Sequence, residues 1–146
     1  MTKLVADAMT AEVSSVDTSA PVIEAARLMR SEDVGSVPIV DAVGHVTGIV
    51  TDRDIAVRLV AEGKDPTATG VSEVASGSLV TVTPEQELDE ALNLMADHQV
   101  RRLPVVNESG ALVGMLAVAD VSLEAKEKKV GELVEEISQP TDTPRA

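Results

Sequence analysis

Residues 51 to 54 read Thr-Asp-Arg-Asp, a polar cluster that follows the apolar run Gly48, Ile49 and Val50 without a break. A hydroxyl and a carboxylate three residues apart, where a strand runs into a helix, can do two things. Thr51 can cap the helix while Asp54 supports its first turn and favours its dipole. The same geometry can also hold a ligand, because free N–H groups face an anion and a carboxylate can accept ribose hydroxyls. Arg53, always charged, would then offset phosphate charge. Residue types alone leave both readings open.

A second cluster, Arg101 and Arg102 in HQVRRLPVV, enters a strand. Two adjacent guanidinium groups near a cleft would clamp an oxyanion bidentately. At a solvated strand entrance they would instead answer acidic neighbours such as Asp97. The two histidines, His45 and His98, are not spaced as a metal pair and are assigned to surface or helix-end positions. The sequence contains no Ser-His-Asp arrangement, no paired carboxylates in an evident cleft motif, no Gly-rich phosphate loop and no metal-ligand cluster. No catalysis is expected.

The elements that must position these residues occur twice. Laid over 78–121 without a gap, residues 12–55 match at eleven of 44 positions, among them Val16/Val82, Met29/Met95, Pro38/Pro104, Gly44/Gly110, Gly48/Gly114 and Asp54/Asp120. A constant offset of this length marks a repeated structural unit. In register, Ala117 and Val118 stand where the first copy has Thr51 and Asp52, and Gly35 and Ser36 where the second has Arg101 and Arg102. Because the second copy's helix still begins at that point, the threonine is not obligatory for the fold.

Each copy predicts strand, helix, strand, strand, helix. EVSSVD and SLVTVT read as strands, and the helices after them carry apolar stripes at i, i+3, i+4 and i+7: Val22, Ala25, Ala26 and Met29, then Leu88, Ala91, Leu92 and Met95. Thr83, Pro84 and Gln86 have capping-box spacing and set the expected start of the second helix. SVPIVD and RLPVVN, a glycine turn, and HVTGIVT and ALVGMLA complete the pairs. The helix after Asp54 is expected to end near Glu62, followed by a linker at 63–70. The division is thus 1–65 and 66–123 for the two repeats, 124–138 for a helical extension and 139–146 for a disordered tail. A unit of about 60 residues buries too little surface to stand comfortably alone. The expected architecture is an α+β sandwich of two βαββα repeats packed sheet to sheet about a pseudo-twofold axis, with the functional surface where they meet.

Composition removes whole classes of function. The 146 residues carry 25 acidic against 12 basic side chains, a net charge of −13, and no Phe, Trp, Tyr or Cys. Neither nucleic acid nor an anionic membrane surface attracts such a chain, and no aromatic platform exists for stacking bases. Disulfides and thiol chemistry are excluded. No stretch reaches the ~20 apolar residues of a membrane span, and the first ten lack a secretory core, so a cytoplasmic protein is expected.

The doubled h-P-h-h strands VPIV and LPVV, the turn glycines and the endings GIVTDRDI and GMLAVADV resemble a CBS domain pair, or Bateman module, over about residues 5–123. The likeness is to the stand-alone bacterial type that includes mycobacterial hypoxic response proteins. The resemblance implies clefts between the repeats for adenosyl ligands: AMP, ADP or ATP, and in some members S-adenosylmethionine or cyclic dinucleotides. It implies ribose contacts from Thr51 and Asp54, phosphate contacts from Arg101 and Arg102, and an adenine border at Val37 and Pro38. In the second cleft only Asp120 matches. It further implies a homodimer, a regulated partner protein, a stress-related regulatory role and no obligatory cofactor. The competing expectation is a ligand-independent dimeric interaction module with degenerate clefts.

Overall fold

The computed structural model describes residues 2–75 and 79–121. The expected extension at 124–138 and tail at 139–146 lie outside the described residues. A short helix α1 (Val5–Ala8) and strand β1 (Thr10–Ala11) precede the first unit, which contains β2 (Val16–Asp17), α2 (Val22–Glu32), β3 (Ser36–Val40), β4 (Val46–Thr51) and α3 (Asp52–Asp54). A π-helical turn, Ile55–Val60, continues α3. After α4 (Val71–Val74) the second unit supplies α5 (Leu88–His98), β5 (Arg102–Val106) and β6 (Leu112–Ala117), and a helix begins at Val118. The strands form two sheets, ordered β2-β3-β4 and β1-β6-β5.

The 66-residue offset recurs in the hydrogen bonds. The α2 and α5 helices both end on a left-handed residue, Asp33 at φ 55° and Gln99 at φ 54°. Val34 N–H then closes onto Met29 O at 3.1 Å, and Val100 N–H onto Met95 O at 3.0 Å. In the hairpin turns Asp41 Oδ1 accepts from Val43 and His45, while Asn107 Oδ1 accepts from Ser109 and Ala111. Gly44 and Gly110 follow at φ +89° and +90°, a region open to glycine without strain.

Those two turns meet at the pseudo-twofold axis. His45 bridges Ala111, its own counterpart, flanked by Val46 N–H to Gly110 O and Leu112 N–H to Gly44 O, both at 3.3 Å. The second junction is an exchange. Val5 N–H donates to Gln86 O at 2.8 Å and Val71 N–H to Ala20 O at 2.9 Å, again one offset apart. Fully buried Val5 therefore packs with Val82, Leu88, Leu103 and Leu116, and Val71 and Val74 pack with Val22, Ala25, Ile39 and Val50. Each unit's leading helix completes the other unit's core.

This exchange corrects two expectations. The α5 helix starts at Leu88, not at Pro84, although Gln86 Oε1 does accept from Thr83 N–H at 2.8 Å. The carbonyls of Pro84 and Gln86, which a helix would have used, accept from Ala6 and Val5 instead. The 63–70 linker is likewise docked: Val22 and Ile23 N–H donate to Thr69 and Pro66 carbonyls. Of EVSSVD only Val16 and Asp17 are strand, and among the described residues 79–83 of the other copy only Val82 makes a bridge, to Val105. Leu92, assigned to the apolar stripe, is 37% exposed, and Leu94 packs against the core in its place. The helix after Asp54 ends at Val60 rather than near Glu62 and is π-helical from Ile55, a geometry that sequence periodicity does not signal.

Candidate ligand cleft

The polar cluster folds as its spacing requires. Thr51, the last residue of β4, is extended at φ −114° and caps α3. Its Oγ1 accepts from Asp54 N–H at 3.1 Å, and Asp54 Oδ2 accepts from Thr51 N–H at 2.9 Å, so the two form a closed capping box. Asp54 is only 5% exposed. Its second oxygen, Oδ1, has no donor among the described residues. In the second unit Ala117 N–H donates to Asp120 Oδ2 at 3.2 Å, but the alanine returns nothing.

Around Thr51 opens a cleft of about 650 Å³, within the size range of ordinary ligand sites. One wall comes from the first unit, with Gly35, Ser36, Ile49, Thr51, Asp52 and Arg53; the other is the continuous stretch His98–Arg102 of the second. Topology explains the meeting. The turn at Gln99 brings the chain from α5 into β5, and β5 packs beside β4 across the axis. The 66-residue counterparts of Thr51, Asp52 and Arg53 are Ala117, Val118 and Ala119, so the polar set exists in one copy only.

The electrostatics oppose those of the chain. In a molecule of net charge −13, Arg53, Arg101 and Arg102 line one cleft, with Asp52 the single carboxylate in its wall among the described residues. Their guanidinium groups have no hydrogen-bond or ion-pair partner among the described residues, Asp97 included. Such a site concentrates anions locally while the remaining surface repels them. Asp52 is held against the wall: its N–H donates to Gly35 O at 2.9 Å, and a Cβ at Gly35 would lie 3.1 Å from Asp52 Oδ2.

The structure brings Thr51, Arg53, Arg101 and Arg102 together. Asp54 stays behind its capping box and is not part of the cleft wall. Val37 and Pro38 are buried and border a separate crevice of about 60 Å³ that shares Ser36 and Arg102 with the cleft. Asp120 lines neither. Sequence reading missed His98, Gln99, Val100, Gly35, Ser36 and Ile49. The offset between copies was the available signal, because it places 35–36 and 101–102 at equivalent points flanking one axis. Among the described residues no group of three or more His, Asp or Glu could hold a metal ion, and no helix is long and apolar enough to cross a membrane.

Comparison with known proteins identifies the family of this two-unit fold. The profile of the CBS domain matches residues 5–61 and 71–126. CBS domain-containing protein YhcV of Bacillus subtilis is 44% identical over 119 residues, 82% of this chain and 83% of the relative. Hypoxic response protein 1 of Mycobacterium tuberculosis is 36% identical over 134 residues, 92% and 93% of the two chains. The crystal structure of Hypoxic Response Protein I with two coordinated zinc ions superposes with a TM-score of 0.77 at 36% identity, covering 83% of this chain and 98% of that one. CBSX2 in complex with AMP gives 0.74 at 26% identity, over 87% and 98%. The CBS domain pair of MJ0100 in complex with 5′-methylthioadenosine and S-adenosyl-L-methionine gives 0.77 at 25% identity, over 88% and 100%. Two profile matches coincide with two structural units related by one offset, and the chain belongs to the CBS domain family as a tandem pair.

Proposed function

We propose that the chain is a non-catalytic regulatory module that binds an adenine nucleotide in the Thr51/Arg101/Arg102 cleft. The observation that carries this reading is the convergence on one cleft, in a strongly acidic chain, of three arginines from both units that have no partner among the described residues. The AMP complex of CBSX2 and the S-adenosylmethionine complex of the MJ0100 pair support an adenosyl ligand on the same scaffold. Between these, the arginines favour an anionic nucleotide over a sulfonium. Arg101 and Arg102 receive the phosphate, Arg53 adds charge from the other wall, and Thr51 meets the ribose. Asp54 lies one layer behind Thr51, and its Oδ1, without a donor among the described residues, is the acceptor a ribose hydroxyl takes when it enters beside Thr51; Val37 and Pro38, which border the adjoining crevice, flank the base. The opposite face, with Ala117 and Asp120, binds weakly or not at all. A homodimer acting on a separate regulated protein in the cytoplasm, under stress as the hypoxic response relative's name suggests, completes the reading.

Calorimetric titration with AMP, ADP, ATP and S-adenosylmethionine tests it. One nucleotide per chain is expected. Charge-assisted hydrogen bonds are worth ~1.5–3 kcal/mol, so Arg102→Ala should weaken AMP binding by about 10- to 150-fold. No heat and no thermal shift with any of the four would favour a ligand-independent interaction module.

A further inference from the structure

His98 is the last residue of α5 and stands in the cleft wall three positions before Arg101. It is exposed, and among the described residues its ring has no hydrogen-bond or ion-pair partner. A cation at a helix C-terminus is favoured by the backbone dipole. The charged groups around it are Asp97 on its own helix, Asp52 and Arg53 on the facing wall, and Arg101 and Arg102 at the entry to β5.

The comparison between copies gives this placement a direction. The counterpart of His98 is Glu32, which accepts from the Ser14 hydroxyl, and the counterpart of Gln99 is Asp33. At equivalent positions the second unit thus carries histidine and two arginines where the first carries two acids, a glycine and a serine. An oxyanion held by Arg101 and Arg102 lies beside the stretch of cleft wall that carries the imidazole.

We propose that His98 is a fourth anion-binding residue of this cleft, contacting the ligand's phosphate as an imidazolium, so that its share of the affinity grows as the medium acidifies. This rests on the nucleotide reading above. Imidazole is the side chain whose charge changes between about pH 5 and 8, whereas the three guanidinium groups stay charged throughout. On the protein side the charge of the arginines is therefore constant and that of His98 is not, while the ligand's own second phosphate ionisation, near pH ~6, acts on every contact alike.

The test is titration with AMP at pH 8.5 and pH 6.0, in buffer containing EDTA, for the wild type, His98→Gln and Arg102→Ala. The phosphate of AMP titrates identically against every protein, so the ratio of Kd for His98→Gln to Kd for the wild type cancels it. That ratio should be about 1 at pH 8.5 and about 3 to 5 at pH 6.0, the scale of an exposed charge pair. A ratio that does not change with pH, while AMP binds and Arg102→Ala weakens it, overturns the role of His98 and leaves the nucleotide reading standing. Absence of AMP binding at both pH values removes the nucleotide reading and the role of His98 with it.

Discussion

Gly48 and Gly114 are equivalent in sequence but not in surroundings, and replacing each by alanine measures the difference. A Cβ at Gly48 would meet only Ile39 Cδ1, at 3.7 Å, an ordinary contact. At Gly114 it would lie 2.8 Å from the carbonyl oxygen of Thr10 and 2.9 Å from Met9 Sδ. The methionine can move, but Thr10 pairs with Met115 and Ala11 with Gly114 itself. Relief therefore requires β1 to separate from β6. Overpacking of a close-packed site costs ~1–3 kcal/mol. At ~2–4 °C per kcal/mol for a chain of this size, Gly114→Ala should lower Tm by about 2–12 °C. Gly48→Ala should stay within about 0.5 kcal/mol of the wild type, the scale of an uncrowded substitution. Far-UV circular dichroism on heating and in urea is the assay, since the chain has no aromatic residue to report by fluorescence. The urea slope should be unchanged, marking a loss of stability rather than of compactness. Equal effects at the two glycines would refute the packing of β1 against β6, and with it the exchange of leading segments.

Removing the carboxylate from the closed box by Asp54→Ala should cost ~1–2 kcal/mol, because Thr51 N–H loses a buried, charge-assisted acceptor. Asp120→Ala, which breaks one 3.2 Å bond, should cost less; urea melts of both variants would expose the opposite order. The Asp65 carboxyl is held below the usual carboxylate range by the Thr67 N–H at 2.9 Å and then by its hydroxyl at 2.8 Å. Its contribution to stability is therefore complete above the unfolded-state value of ~3.9 and fades as pH falls through the depressed folded value. Thr67→Ala should move the Asp65 titration part of the way back up in an NMR pH series, since the backbone donor remains; no movement would remove the hydroxyl from the account. Nucleotide binding should slow amide exchange at Val46 and Leu112, whose bonds across the axis are 3.3 Å long, more than at Val5 and Val71, whose bonds are 2.8 and 2.9 Å. Uniform slowing would argue against any change at the axis.

What the sequence discloses depends on how local the interaction is. The Thr51–Asp54 cap spans three residues and is legible from spacing, as are the stripe positions Val22, Ala25, Leu88, Ala91 and Met95, all buried. The two-unit architecture is legible because one offset governs 44 positions. The start of α5 is not, because Ala6 and Val5, about 80 residues away, take the carbonyls of Pro84 and Gln86. His98 was assigned to a helix end, correctly, but its place in a cleft wall follows only once β5 is set beside β4. Val37 and Pro38 read as bordering the adenine by resemblance; β3 is covered on both faces, so both are buried, and they reach the ligand side only through the small crevice beside the cleft.

A pseudo-twofold frame offers two equivalent surfaces, and binding one ligand requires them to be made unequal without disturbing the frame. The positions that carry the frame are nearly unchanged between copies: the left-handed helix ends, the turn glycines, the carboxylate at 54 and 120, and the exchanged leaders. The positions that differ in charge, Glu32 against His98, Gly35 and Ser36 against Arg101 and Arg102, Arg53 against Ala119, lie on segments flanking the axis. Charge is free to vary at Glu32, Arg53, His98 and Arg101, which are exposed and contribute little to folding, while its sum fixes where an anion is accepted. A ligand held by Thr51 and Arg53 of one unit and Arg101 and Arg102 of the other then touches both units. It can alter their relative packing only to the extent that it binds two arrangements with different affinity. The joint it would act on consists of the paired hairpin turns at His45 and Ala111 and the two exchanged leaders. Of these, only the turns carry hydrogen bonds long enough to tighten.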